Sequence, residues 1–197
     1  MLRLGSRRCT VFLSHTWCGP DEPHERVIRI AKGLRRLGWR VWLDDTDMVG
    51  NIDGCIARGI QNSSVVVLFL TRDYCRKINR AANSVTRNDN CYNEFSYALW
   101  AGKPIVPVMM DATMRNPSQW SPGVIPMRLS CELYVDGCCN LPEVARRIDE
   151  RLKKMNFRRP MPPIRPMPPM PQIRPMPPTT SWRTQLFRRP PRTTVWL

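Results

Sequence analysis

The segment that most restricts the possible folds of this 197-residue chain is the run VVVLFL at residues 65–70. Consecutive apolar residues give both faces of a strand the same character, whereas a strand with one face in water would alternate apolar and polar residues. We therefore expect this run to be a central strand of a parallel sheet that helices cover on both faces. Such a sheet would place the chain in the α/β class.

Apolar runs and helical periodicities alternate along the rest of the first 155 residues. The pattern predicts strands at 10–13, 40–43, 65–70, 105–110 and 133–135, and helices at 25–37, 56–60, 91–100 and 141–155. Strands and helices in alternation predict a doubly wound, five-stranded parallel sheet with right-handed crossovers. In such a sheet ligands bind at the carboxyl ends of the strands, so we expect the segments 14–23, 44–50 and 71–90 to surround the functional site.

Several local features qualify this prediction. Asp53 is the expected N-cap of the second helix. Pro107 fits the fourth strand only near a sheet edge or where its missing amide is not needed. The polar segment 71–90 is expected to be irregular, with one helical turn near residues 74–78, and Trp120 is expected in a long loop.

The C-terminal region has a different composition. Residues 158–197 contain 12 of the 20 prolines, eight arginines and no acidic residue, a composition that cannot build a packed core. We therefore divide the chain into an N-terminal extension at 1–8, a folded domain at 9–155 and a basic, proline-rich tail at 156–197 that is expected to be disordered. The segment from Pro160 through Pro163 to Arg165 matches the PxxPxR pattern of ligands for SH3- or WW-type grooves. A spacer without a partner is an equally good interpretation of this tail.

Charge and cysteine content narrow the function classes. The formal net charge of +15 favours polyanionic partners, so the tail is also a weak candidate for binding nucleic acid or anionic membrane surfaces. Eight scattered cysteines without a C-x-x-C pair, together with only two histidines, predict reduced thiols and no metal site. The N-terminus has no signal-peptide pattern, and no apolar run approaches the roughly 18–20 residues that span a bilayer. These features predict a cytoplasmic protein without a transmembrane segment.

Three segments, in this order and spacing, resemble the motifs of TIR domains, the domains named for Toll and interleukin receptors and plant resistance proteins. They are VFLSHTW at 11–17, VWLDDTDMVGNIDGCIARGIQNSSVVVLFLT at 41–71, and NCYNEFSYAL at 90–99 followed by GKPIVPVMMD. The resemblance implies a flavodoxin-like fold and self-association between TIR domains. In many members it also implies cleavage of NAD⁺ at the nicotinamide glycosidic bond, with NAD⁺ as substrate and no bound cofactor, whereas other members are adaptors.

The same resemblance implies a catalytic role for Glu94, the acidic residue of a C-x-x-E pattern that begins at Cys91. One carboxylate can hold ribose hydroxyls and offset the positive charge of an oxocarbenium-like transition state. Enzymatic relatives often carry Trp four residues before this Glu, where this chain has Asn90, so Trp17 is our candidate for stacking on nicotinamide. The alternative interpretations are an exposed first-turn glutamate at 94 and a partly buried loop aromatic at 17.

Further residues complete the predicted substrate site. Ser14, His15 and Asp45 are expected to bind substrate with Cys91, although a structural role is the more common one for such a histidine. Asp47, Gly50 and Asn51 belong to the segment that resembles the BB loop, which is either a mobile gate or a plain connection. Scattered arginines could neutralise a pyrophosphate or could simply be solvated; they are Arg58, Arg72 and Arg76.

The sequence therefore leaves two main hypotheses. The first is a signalling enzyme that cleaves NAD⁺ to nicotinamide and linear or cyclic ADP-ribose when it self-associates. The second is a non-enzymatic adaptor that recruits TIR domains and uses its tail as an SH3- or WW-type ligand. No glycine-rich phosphate loop of the dinucleotide-binding or P-loop type is present, so the sequence gives no support to a dehydrogenase or a kinase.

Overall fold

The computed structural model of the protein describes residues 9–17, 23–43, 51–85, 89–129 and 131–159. The strands are β1 (Thr10–Ser14), β2 (Arg40–Trp42), β3 (Val65–Leu70), β4 (Ile105–Met109) and β5 (Val135–Asp136). The helices are α1 (Pro23–Arg36), α2 (Ile52–Asn62), α3 (Arg72–Ala82), α4 (Asn90–Trp100), α5 (Val124–Leu129) and α6 (Leu141–Lys154), with two 3₁₀ turns at Ala112–Met114 and Pro117–Gln119. None of the helices in the described part of the chain is long and apolar enough to cross a membrane.

The five strands form one parallel sheet in the order β2-β1-β3-β4-β5. The central strand β3 pairs with β1 from Val65 and with β4 from Val66. This arrangement confirms the predicted flavodoxin-like sheet. The chain order reverses direction across the sheet between β1 and β3, and the carboxyl ends of the strands beside that point are where ligands bind in folds of this kind.

Both faces of the sheet are covered, as the apolar run in β3 predicts. All six residues of β3 are buried; Val65, Val67 and Phe69 belong to the core beneath α1 and α6, and the other three belong to the core on the opposite face. That second core includes apolar residues of α2, α3, α4 and α5. Because burying one such side chain contributes about 1.5–3 kcal/mol, this strand is a major source of stability.

Close packing and backbone geometry explain where the first helices lie. Helix α1 is followed by Gly38, whose φ of +92° lies in the left-handed region that ends helices without strain. A Cβ atom on Gly59 of α2 would approach the ring of Trp42 to 2.6 Å, so glycine is required for the helix to pack against β2. The Trp42 ring in turn stacks on Phe12 with centroids 4.4 Å apart.

The cap of α2 differs from the sequence prediction. Asn51, with an extended backbone, accepts a hydrogen bond from the Gly54 amide at 3.0 Å and is the N-cap, whereas Asp53 lies inside the first turn. The expectation that Asp53 caps a helix starting later was therefore wrong. Helix α2 begins at Ile52 because the Asn51 side chain, and not that of Asp53, accepts the hydrogen bond from the Gly54 amide in the first turn.

Two segments expected to be irregular form helices. Residues Arg72–Ala82 make the full helix α3 rather than one turn, and the loop after β4 contains the short helix α5. Pro107 lies inside β4. The edge strand β5 pairs with β4 only from Val108 onward, so no β5 residue is paired with Pro107 and the N–H that proline lacks is not needed there. This agrees with the condition stated for Pro107 above. The fifth strand is Val135–Asp136, slightly later than predicted.

A buried carboxylate fastens the end of α6 to the strand layer. Asp149 accepts a hydrogen bond from Trp39 Nε1 at 2.8 Å, and Lys153 and Arg159 also bind it at 2.8 Å. Burial alone would raise the pKa of Asp149, but these hydrogen bonds together lower it.

Candidate active site

The candidate site is built where β1 ends beneath helix α4. Ser14, the last residue of β1, is fully buried, and its Oγ donates a hydrogen bond to Glu94 Oε2 at 2.5 Å. The two residues are 80 positions apart in sequence, and the parallel crossovers bring them together. Glu94 is only 4% exposed, so the alternative interpretation of an exposed first-turn glutamate is wrong.

A buried tyrosine extends this contact into a network. The hydroxyl of Tyr74, on α3, lies 2.8 Å from Ser14 Oγ. Burial, followed by the nearby Cys91 and Glu94, holds the pKa of Tyr74 well above its ordinary value, so the phenol keeps its proton. Since the single Ser14 proton is directed to Glu94, Tyr74 donates to Ser14, and the hydrogen bonds run in one direction toward the carboxylate.

Cys91 lies on the buried face of α4, one turn before Glu94. Its Sγ contacts the backbone oxygen of His15 at 3.5 Å. Asn90, which stands where enzymatic relatives often have Trp, is the exposed first residue of α4, directly after the N-cap Asp89. The structure therefore brings Cys91, His15, Ser14 and Glu94 together and places Asn90 at the surface.

The residues after β1 form a stack of three rings. The Trp17 ring lies 4.3 Å from that of His24, and the His24 ring lies 5.0 Å from that of His15. The His15 Nε2 and His24 Nδ1 atoms are 2.7 Å apart, within hydrogen-bond distance. Trp17 is 46% exposed, which leaves part of the indole available to a planar ligand.

The buried position of His15 fixes its charge state. Burial, followed by repulsion from His24, lowers the pKa of His15 to about 3. His15 is therefore neutral at physiological pH and can give or accept one hydrogen bond at each nitrogen. Its Nδ1 is buried and has no hydrogen-bond partner within the described residues.

Sequence reasoning missed two members of this site. The sequence predicts only a single helical turn around Tyr74, and it assigns no role in the site to His24, one of the two histidines. Tyr74 is 60 residues from Ser14 and His24 is nine residues from His15, and neither spacing is a local motif that would signal the contact. Helix α3 and the start of α1 bring them to the carboxyl edge of the sheet.

The remaining predicted residues are distributed as follows. Asp45, Asp47 and Gly50 of the BB loop, and Pro160, Pro163 and Arg165 of the tail, lie outside the described residues. Asn51 caps α2. Each of the three arginines has a different partner: Arg58 contacts Cys55, Arg76 pairs with Asp73, and Arg72 lies 3.8 Å from Asp111.

This arrangement defines what the site can do chemically. A buried carboxylate whose orientation is fixed by a serine can accept hydroxyl hydrogen bonds and stabilise developing positive charge more strongly than a carboxylate in water. No group of three or more His, Cys, Asp or Glu side chains in the described ranges is arranged to hold a metal ion.

Comparison with known proteins agrees with this fold. The crystal structure of a prokaryotic SEFIR domain matches with a TM-score of 0.50 and 20% sequence identity, over 80% of this chain and 99% of that chain. At this identity the likeness concerns the fold alone. Comparison with curated proteins gives no match. The model of the TIR domain family matches residues 11–159, well over half of the sequence, and the chain therefore belongs to the TIR domain family.

Proposed function

We propose that this TIR-domain signalling protein cleaves NAD⁺ to nicotinamide and linear or cyclic ADP-ribose when it self-associates. TIR domains act in signal transduction and associate with other TIR domains, so the new element is the reaction. The observation that carries it is the Glu94 carboxylate, buried at the carboxyl end of β1 and fixed by Ser14 Oγ at 2.5 Å. We assign the reaction to the cytoplasm.

The proposed chemistry requires little besides this carboxylate. In NAD⁺ the nicotinamide ring is a pyridinium cation because its nitrogen is bonded to ribose. When this glycosidic bond breaks, neutral nicotinamide leaves and positive charge develops on the ribose. Glu94 would hold the ribose hydroxyls and offset this charge, and water or an adenine nitrogen would then complete the reaction. The neutral Tyr74 and Ser14 would keep the carboxylate oriented without adding a competing charge.

Trp17 is the proposed stacking surface for nicotinamide. Asn90 cannot stack, and Trp17 already lies parallel to the His24 ring, with an interplanar angle of 14°. Because the His24 ring already holds the Trp17 indole in place, the indole would lose little conformational freedom when the nicotinamide ring stacks on it. In this proposal Asp45 contacts the ribose, and the BB-loop residues Asp47, Gly50 and Asn51 gate the site or contact a neighbouring copy.

The experiment that tests this proposal uses the full-length chain at high concentration with NAD⁺, and follows nicotinamide release. Wild type should release nicotinamide, and Glu94→Gln, which preserves side-chain shape, should lower the rate at least about 100-fold. Glu150→Gln removes an exposed carboxylate from helix α6, on the opposite face of the sheet, and should leave the rate unchanged. If wild type is inert while light scattering shows that it has assembled, the enzymatic proposal fails.

A second candidate function is the non-enzymatic adaptor. It is favoured by the exposed Trp100, 78% accessible and 5.3 Å from the Tyr97 ring, at a groove between α2 and α4. Exposed aromatic side chains of this kind are common at the centres of protein interfaces. In this candidate the groove contacts another TIR domain, and Trp100→Ala should abolish that association while Leu133→Ala, another exposed apolar residue, should not.

The tail enters both candidates as a partner site. We propose that Pro160, Pro163 and Arg165 bind an SH3- or WW-type domain. A pull-down with a peptide of residues 158–169 should retrieve such a domain, and a peptide with alanine in place of the prolines should not. Retrieval that depends on arginine alone and weakens steeply with salt would instead indicate nucleic acid or anionic membrane as the partner.

A further inference from the structure

A separate polar cavity of about 440 Å³ opens at the carboxyl edge of the sheet. It is lined by residues that follow β1, β3 and β4 and by the start of α1, among them Thr16, Arg26, Arg72 and Asp111. Neither Ser14 nor Glu94 lines it. The cavity is therefore distinct from the contact between Ser14 and Glu94.

The hydroxyl of Thr16 is the first indication of a ligand. Thr16 is 1% exposed and lines the cavity, yet its Oγ1 has no hydrogen-bond partner within the described part of the chain. Burying a hydroxyl without a partner destabilises a protein, so such groups usually have a reason to persist. A ligand that supplies the missing hydrogen bond would provide that reason.

The start of the 11-residue helix α3 adds backbone donors to the same cavity. Thr71 caps this helix: its Oγ1 accepts from the Tyr74 amide and its backbone oxygen accepts from the Cys75 amide. The two preceding amides, on Arg72 and Asp73, have no acceptor among the described residues, as expected of a helix N-terminus. Both residues line the cavity, so these amides form a site suited to an anion.

The charges around the cavity also favour an anion. Arg26 uses its guanidinium to bind the backbone oxygens of Met110 and Gly137, at 3.5 and 3.2 Å, so its charge is not neutralised by a carboxylate in the described structure. Asp73, which lines the cavity, pairs with Arg76, which does not. Asp111 accepts from the amide and hydroxyl of Thr113 and lies 3.8 Å from Arg72. The lining holds two arginines and two aspartates, and Arg26 is the one charged side chain among them that has no oppositely charged partner in the described structure.

We propose that this cavity binds the phosphate group of a small phosphate ester, a nucleotide or a sugar phosphate. The Thr16 hydroxyl and the amides of Arg72 and Asp73 donate to the phosphate oxygens, and the guanidinium groups of Arg26 and Arg72 balance its charge. A cavity of this volume falls within the roughly 300–1,000 Å³ of small-molecule sites and leaves room for a sugar beyond the phosphate.

The experiment measures binding to the full-length chain by calorimetry, with ribose 5-phosphate, ADP-ribose, inorganic phosphate and phosphate-free adenosine as probes. We expect both esters to bind, inorganic phosphate to bind more weakly and adenosine not to bind. Thr16→Val and Arg72→Ala should each weaken ester binding about tenfold or more. Arg80→Ala is the matched control, because it removes the same charge from the same helix about 12 Å farther along.

Three results would overturn the proposal: neither ester binds, both variants bind as wild type does, or inorganic phosphate binds as tightly as the esters. A thermal-shift measurement guards against misfolding. Without ligand, Thr16→Val should unfold about 2–4 °C higher than wild type because it removes the unpaired hydroxyl. A lower unfolding temperature would show that the hydroxyl stabilises the fold and would overturn its assignment as a ligand contact. Glu94→Gln should keep ADP-ribose binding, which separates this site from the proposed reaction.

Discussion

Two buried hydroxyl groups lie two residues apart at the end of β1, and their surroundings differ. Ser14 is bound by Tyr74 on one side and donates to Glu94 on the other. Thr16 is as deeply buried, yet has no hydrogen-bond partner in the described ranges. The difference separates the side chains of Ser14, Tyr74 and Glu94, which bind one another, from the Thr16 hydroxyl, which would need another molecule as a partner.

This comparison bears on both proposals. In the Ser14 region the serine hydroxyl has a partner on each side without substrate, so a ribose hydroxyl would have to reach Glu94 without displacing Ser14. In the Thr16 region the donors converge on a cavity before any ligand is present. The first region is stabilising in itself, and the second lowers stability until it is occupied.

The largest loss of stability is expected when the Glu94 side chain, the acceptor for Ser14, is removed. Glu94→Ala removes the acceptor and leaves a small cavity beneath α4, so we expect the free energy of unfolding to fall by about 2–4 kcal/mol. Urea denaturation followed by circular dichroism measures it. A loss below about 1 kcal/mol would show that this network contributes little to the fold.

A smaller loss is expected from Ser14→Ala. The change removes one hydroxyl and leaves both Tyr74 and Glu94 without that partner, at a cost of about 1–3 kcal/mol. The same denaturation measurement on Thr16→Val should give the opposite sign. Equal signs for the two variants would remove the distinction between the two regions.

Acid should destabilise the protein through His15. Its pKa is about 3 in the folded protein and near 6.5 when unfolded, so the unfolded chain binds the proton first as the pH falls. Stability is therefore complete above pH 6.5 and decreases as the pH falls toward 3. Between pH 7.5 and 5.5 we expect this group to remove about 1.4 kcal/mol, as an upper estimate. His15→Gln should flatten this pH dependence in urea titrations at the two pH values, and an unchanged slope would assign it to other groups.

The smallest effect on stability is expected from Arg72→Ala. This side chain is exposed and 3.8 Å from its carboxylate partner, so its removal should change the free energy of unfolding by less than about 0.5 kcal/mol. The same variant should weaken binding of phosphate esters, and the contrast between the two measurements identifies a ligand contact. A stability loss above about 1 kcal/mol would instead assign Arg72 to the fold.

Elements with a strong hydrophobic pattern could be predicted from the sequence. Val65–Leu70 is apolar at every position because both of its faces are buried, and the structure confirms it. Helix α3 was missed because its buried stripe consists of Tyr74, Cys75, Ile78 and Ala81, a set with only one strongly hydrophobic aliphatic residue. Packing against the sheet stabilises this helix where the local pattern is weak.

The site could be predicted only in part. The sequence identified Ser14, His15 and Glu94, and the fold brings them to one edge. The sequence could not predict the bond between Ser14 and Tyr74, because it depends on how α3 packs against the end of β1, 60 residues away. It also could not predict the missing partner of Thr16, because an unsatisfied group is a property of three-dimensional surroundings.

The attachment of Asp149 to Trp39 and Arg159 has a consequence for where the folded unit ends. Phe157 packs against the core beneath α1 and α6, and Arg159 holds a carboxylate that is otherwise enclosed. A chain cut after Met155, at the boundary drawn from sequence, would lose both and leave Asp149 with fewer cations. The minimal piece to express is therefore one that runs through Arg159, the last residue before the first proline of the tail.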